Sequence, residues 1–157
     1  IILFGAEISH SIQTMDTHEQ YKDVEKLSPH YKQLLTLYVL HTIIQQFKNG
    51  EAPFSADEIA EKLDLPIQTV NKSIERLNDA KIIAPTKRDK DEPLRYLPAR
   101  DTEKLTISNI INSLDKRGVN ALNIDKSSIL GQLEDALVGL SEVGENSNHN
   151  ISLKYLK

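Results

Sequence analysis

Residues 54–83 read FSADEIAEKLDLPIQTVNKSIERLNDAKII, and this stretch decides the fold. Ser55 stands three residues before Glu58. That is the spacing of a capping box, in which the hydroxyl accepts from the third helical N–H and the carboxylate reaches back to the N–H of the cap. Ile59, Ala60 and Leu63 then share one helical face. Asp64 and Leu65 make a turn, and Pro66 suits a helix start because it has no N–H to satisfy there. Ile67, Val70, Ile74 and Leu77 recur at helical spacing, so a second helix buries one stripe and exposes Gln68, Asn71, Lys72, Glu75 and Arg76. Two short helices around a tight turn are the layout of a helix-turn-helix.

The residues beyond the second helix set the subtype. Ile82 and Ile83 are a β-prone pair, Thr86 to Pro93 is a charged turn, and Leu94 to Leu97 is a second short strand. A helical hairpin joined to any β-hairpin is the plainer alternative; cap, spacing and wing together favour a winged helix. The expected fold is mainly α with a small β-hairpin, a winged helix-turn-helix with extra N- and C-terminal helices.

Outward from that centre, Ser28 and Pro29 start a helix that stops at Gly50, and its apolar residues, Leu34 through Phe47, cover most of the circumference. Both sides are therefore expected to meet protein, the stripe of residues 67–77 among them, with His41 as a hydrogen-bonded core residue. Residues 1–27 read as helix. After the wing, Thr106 caps a helix carrying Ile107, Ile110, Ile111 and Leu114 that ends before Gly118. Asp125 caps a last helix bearing Ile129, Leu130, Leu133, Ala136, Leu137 and Leu140; residues 141–150 are polar and expected to be mobile, and Ile151 to Leu156 offer an edge strand. The expected division is 1–50 for the N-terminal helices, 51–118 for the winged helix, and 119–157 for the C-terminal helix and tail.

At 157 residues the chain can bury a core without staples, and with no Cys it has neither disulfides nor thiolate metal sites. Nineteen Lys and Arg against 23 Asp and Glu leave a net charge of −4, so no global field draws it to nucleic acid. The helix 66–80 sums to zero, Lys72 and Arg76 against Glu75 and Asp79, and so does the wing, Lys87, Arg88 and Lys90 against Asp89, Asp91 and Glu92. Because phosphate contacts drive much of DNA affinity, nucleic acid is expected to bind weakly or not at all. Any contact to nucleic acid or a partner would fall to Gln68, Thr69, Asn71, Lys72, Arg76, Lys87 and Arg88. His10, His18, His30, His41 and His149 show no His-x3-His spacing, and there is no Ser-His-acid pattern or glycine-rich phosphate loop. No catalytic, cofactor or metal residues are assigned.

Two resemblances accompany this reading. Residues 54–118 resemble the iron-sulfur-sensing winged-helix repressors, including Leu65-Pro66 and Leu105-Thr106 at the starts of the helices they precede; the absence of Cys keeps cluster binding from carrying over. Leu3 to Ile12, with Gly5-Ala6-Glu7, resembles the end of the last transmembrane helix in the YihY family of bacterial inner-membrane proteins, labelled ribonuclease BN-like or virulence factor BrkB-like. Ile1 in place of Met fits a piece of a longer chain. The resemblance implies a cytosolic tail on the cytoplasmic face of the inner membrane. It would be joined to the membrane by preceding spans and would act through a protein partner or self-association. A DNA-binding winged-helix regulator is the alternative, and an accessory domain of a tRNA-processing ribonuclease is a third.

Overall fold

The computed structural model describes residues 25–118 and 128–157. Helix α1 (Pro29–Lys48) begins where Ser28 Oγ accepts from the Tyr31 N–H at 3.2 Å and Pro29 takes the first position. Gly50 ends it in left-handed backbone, φ 70°. Val39, Leu40, Ile43 and Ile44 form its buried face, whereas Leu34, Tyr38 and Phe47 stay about half exposed. The expected enclosure is thus one-sided. The outer face of α1 forms an open apolar groove with Ile107, Leu153 and Leu156.

Helix α2 (Ala56–Leu63) carries the capping box: Ser55 Oγ accepts from Glu58 N at 3.3 Å, and Ser55 N donates to Glu58 Oε2 at 2.7 Å. It ends on Asp64 at φ 51°, a left-handed position that Asp tolerates, with Leu65 N–H closing on Ala60 O. Pro66 then opens α3 (Ile67–Asp79), which lays Val70, Ile74 and Leu77 into a core built with α1, Ile59 and Ile110. Strands β1 (Ile83–Thr86) and β2 (Arg95–Pro98) pair antiparallel, Ile83 opposite Pro98 and Thr86 opposite Arg95. The first strand starts one residue later than expected because Ile82 is already used. Its N–H closes the end of α3 on Leu77 O at 2.9 Å, and its carbonyl accepts from Ala99 at 2.8 Å. Pro85 fits inside β1 because a two-stranded ribbon is all edge.

Thr106 caps α4 (Ile107–Asp115) through the Asn109 N–H. Helix α5 (Ser128–Glu145) comes next; its expected cap, Asp125, lies outside the described residues, as do Ile1 to Ile8, His10 and His18. Residues 141–145, expected within a mobile tail, continue α5. Asn150 Oδ1 accepts from Ser108 N at 2.9 Å, Ser152 makes a single bridge with Thr106, and Leu153 is buried. A 3₁₀ turn over Leu153–Tyr155 replaces the expected edge strand, and its carbonyls are held from α1. Gln45 Nε2 donates to Leu153 O and Lys154 O, and His41, half-buried, donates to Leu156 O at 3.1 Å. The described residues are mainly helical with one hairpin, a winged helix-turn-helix.

Candidate nucleic-acid interface

Two arginines fix the frame that presents α3 and the wing. Arg95 on β2 grips the start of α2: Nη1 donates to Glu58 Oε2 at 2.8 Å and to Pro53 O at 2.6 Å, and Nη2 to Glu58 Oε1 at 3.2 Å. The backbone N–H of Ser55 first, and then Arg95, hold the Glu58 carboxyl below the usual carboxylate range against a smaller opposing effect of burial. Arg100 reaches the other end of the motif. Its guanidinium donates to Ala80 O at 2.7 Å, Lys81 O at 3.0 Å and Ser113 Oγ at 3.0 Å, satisfying carbonyls at the C-terminus of α3. Neither arginine stood out in the sequence. For Arg95 the only available signal was an acid at a cap that leaves carboxylate oxygens for a distant cation.

The seven expected contact residues separate into three groups. Asn71 is exposed and Gln68 half-exposed, on the solvent side of the first two turns of α3. Lys72 is exposed and Arg76 half-buried, on a flank that faces the start of α1; Lys72 Nζ lies 3.8 Å from Glu25 Oε1. Thr69 turns inward and is only 6% exposed, which removes it from any base edge in this conformation. Lys87 and Arg88 are exposed in the wing loop, where Lys87 Nζ reaches Lys90 O. The charges of α3 are also unevenly placed. Lys72 is alone in its N-terminal half, while Glu75 and Asp79 fall in the second half, and Arg117 lies 3.7 Å from Asp79.

Comparison with known proteins agrees with the helix-turn-helix fold. Residues 39–88, from the middle of α1 into the wing loop, match a family described as an HTH domain. IscR of T. potens shares 23% identity, and the likeness covers 82% of each chain with a TM-score of 0.51. CymR of Staphylococcus aureus shares 18% identity over 80% of this chain and 93% of its own, with a TM-score of 0.50. No curated protein matches the sequence.

These findings correct several expectations. The matched family is a helix-turn-helix domain, and the likeness to chains known as IscR and CymR extends beyond it to about four fifths of this chain. The chain is therefore not read as the tail of a YihY or ribonuclease BN-like protein, joined to a membrane and lying on the cytoplasmic face of a bacterial inner membrane. Among the described residues no helix is long and apolar enough to cross a membrane. The ten residues that carried that resemblance, Leu3 to Ile12, lie outside the described ones, and a short step from apolar to polar is common to many amphipathic helix ends. The ribonuclease role falls with it. The expectation of weak or absent nucleic-acid binding is set aside by the match of residues 39–88 to a helix-turn-helix family. It rested on charge summed along whole elements, whereas a helix meets a partner with one face, and the acids of α3, Glu75 and Asp79, both fall in its second half.

Proposed function

We propose that this chain is a DNA-binding winged-helix regulator that acts as a pair of copies. The observation that carries this reading is the first two turns of α3, where Gln68, Asn71 and Lys72 reach solvent ahead of the carboxylates of that helix. Amide side chains at that position suit the paired donor and acceptor of adenine in the major groove, and Lys72 suits phosphate or guanine. Lys87 and Arg88 supply phosphate contacts from the wing and fix register without reading sequence. The pairing is assigned to α5. Ile129, Leu133, Leu137, Leu140 and Val143 lie along one exposed side of it, while Ser141 and Glu145 on its other side bond to Asn112 of α4. A helix that turns its polar side to its own body and its apolar side to water suits a two-fold partner identical to itself.

Selection from a random duplex pool, followed by anisotropy titration, tests the reading. The expected product is a two-fold symmetric site with half-sites one helical turn apart. Gln68→Ala and Asn71→Ala should each cost about 1–3 kcal/mol at one base position. Lys87→Ala should weaken all sequences alike and lower the salt slope by about 1. Failure to enrich any sequence, with affinity staying at the level of random duplex, overturns the proposal.

A further inference from the structure

Helix α3 ends in a strained turn. The Lys81 N–H closes on Asn78 O at 2.9 Å and the Ile82 N–H on Leu77 O at 2.9 Å, the two bonds of a Schellman end. Lys81 stands there at φ 55°, a left-handed backbone that glycine adopts more readily than lysine. Arg100 holds this turn by both of its outward carbonyls, Ala80 O and Lys81 O. With its third nitrogen the same guanidinium donates to Ser113 Oγ on α4. That hydroxyl is itself fixed, because its proton goes to Asn109 O at 2.8 Å.

The preceding residue of α4 faces the other way. Asn112 Nδ2 donates to Glu145 Oε1 at 3.0 Å, and its Oδ1 accepts from Ser141 Oγ at 3.0 Å, both on α5. Asn150 adds a second tie, accepting from Ser108 N on α4 and donating to Glu145 O at 2.9 Å. Two neighbouring residues, Asn112 and Ser113, thus join α5 on one side to the end of α3 on the other. Leu77, Ile110 and Leu114 share the core between α3 and α4. Apolar attraction is non-directional and lets one helix slide or turn on the other, whereas a planar fork bonded in three fixed directions does not.

We infer that Arg100 is a positioning residue: by pinning the end of α3 to α4, which carries α5, it sets the separation of the two α3 helices in a pair and so the half-site spacing the pair accepts. The inference rests on the proposed DNA-binding pair and deepens it. With α5 as the paired face, the placement of two α3 helices follows from how rigidly each is joined to its own α5. One base pair added between half-sites moves them apart by about 3.4 Å and turns one by roughly 35°, a change that a rigid pair rejects and a loose pair follows.

The test compares the parent with Arg100→Ala and Ser113→Ala on duplexes carrying the selected half-sites at the selected spacing and one base pair shorter or longer. Arg100 is exposed, so its removal should leave the fold intact, which circular dichroism checks. The parent should lose at least about tenfold in affinity at the altered spacings, and Arg100→Ala should reduce that loss below about threefold while binding a single half-site within about twofold of the parent. Ser113→Ala leaves Arg100 on both carbonyls and should flatten the profile in the same direction. A second arm uses no DNA. The chain has no Cys, so Glu75→Cys on α3 and Asp135→Cys on α5 accept spin labels, with the labelled chain diluted in unlabelled chain. The distance distribution should be narrow in the parent and broader in both variants. Unchanged spacing preference and label distances in Arg100→Ala, or an equal loss on single and paired half-sites, would overturn the inference. So would a profile flattened by Arg100→Ala and untouched by Ser113→Ala, since Arg100 would then act on the end of α3 alone. Should Arg100→Ala misfold, Ser113→Ala decides. A parent that prefers no duplex would sink the proposed function and the spacing with it, while the label distances would still show whether Arg100 holds α3 to α5.

Discussion

Helices α3 and α5 have the same kind of sequence and opposite fates. Each carries apolar residues at helical spacing on one side, Val70, Ile74 and Leu77 in α3 and Leu133, Leu137 and Leu140 in α5. Leu77 is 0% exposed, whereas Leu137 is 68% exposed. The difference lies in what each helix can reach. Helix α3 comes directly after α2 and the tight turn at Asp64, so α1 and Ile59 are within a side chain's length of its stripe. Helix α5 is tied to α4 by its polar side, and the ties from Asn112 to Ser141 and Glu145 hold the stripe outward. An apolar period thus says that a face has to be covered. The bonds on the opposite face set which way that face points.

The largest expected effect would break this comparison at its core. Leu77→Ala should cost about 2–5 kcal/mol in a denaturant melt, through lost burial and the cavity left behind. Leu137→Ala, measured at concentrations low enough to keep copies apart, should lie within about 0.5 kcal/mol of the parent. Similar costs at the two positions would show that α5 is covered within the chain.

Next in size is the association itself. Burying a leucine in the paired state contributes about 1.5–3 kcal/mol, so replacing Leu133 and Leu137 together by Glu should weaken self-association by several powers of ten. Sedimentation should then show a single copy, with circular dichroism and the melting midpoint of the winged helix unchanged. An unaltered chain that stays single at every concentration reached would remove the pairing from the proposed function.

Much of the frame was legible because its signals are local. Ser28, Ser55 and Thr106 each cap a helix within three residues of the bond they make, and Pro29 and Pro66 mark starts by having no N–H. Features that depend on residues far apart in the chain were not legible. Arg95 meets Glu58 across 37 positions and Arg100 meets Ala80 across 20, and nothing in the neighbourhood of either arginine announces its target. Thr69 shows the same limit within the candidate site. Its place at the edge of the α3 stripe permits either an outward or an inward side chain, and the fold turns it inward, on the flank of α3 that faces the start of α1. Summed charge misled for a related reason, since it treats the two halves of α3 as one surface.

The smallest expected effect sharpens the comparison by acting on the winged helix and leaving α5 alone. Glu58 holds both the cap of α2 and, through Arg95, the second strand of the wing. Its folded pKa lies below the ordinary value, so its contribution is fully present above the unfolded carboxylate range and is lost as pH falls through the folded value. Glu58→Gln keeps a side-chain oxygen for the Ser55 N–H, as capping boxes allow, and removes the charge that Arg95 meets. Because the Glu58 side chain is 41% exposed, solvent screens the pair, and the variant should cost less than about 1 kcal/mol at neutral pH. That cost should shrink as the buffer is taken into the acid range and vanish once the parent's carboxyl is itself protonated. Urea melts of parent and variant across that range measure it. Sedimentation of the same samples at neutral pH should show self-association unchanged, because Glu58 belongs to α2 and the paired face to α5. A pH-independent cost would mean that Glu58 acts through its shape in the cap and that the wing is not held by its charge.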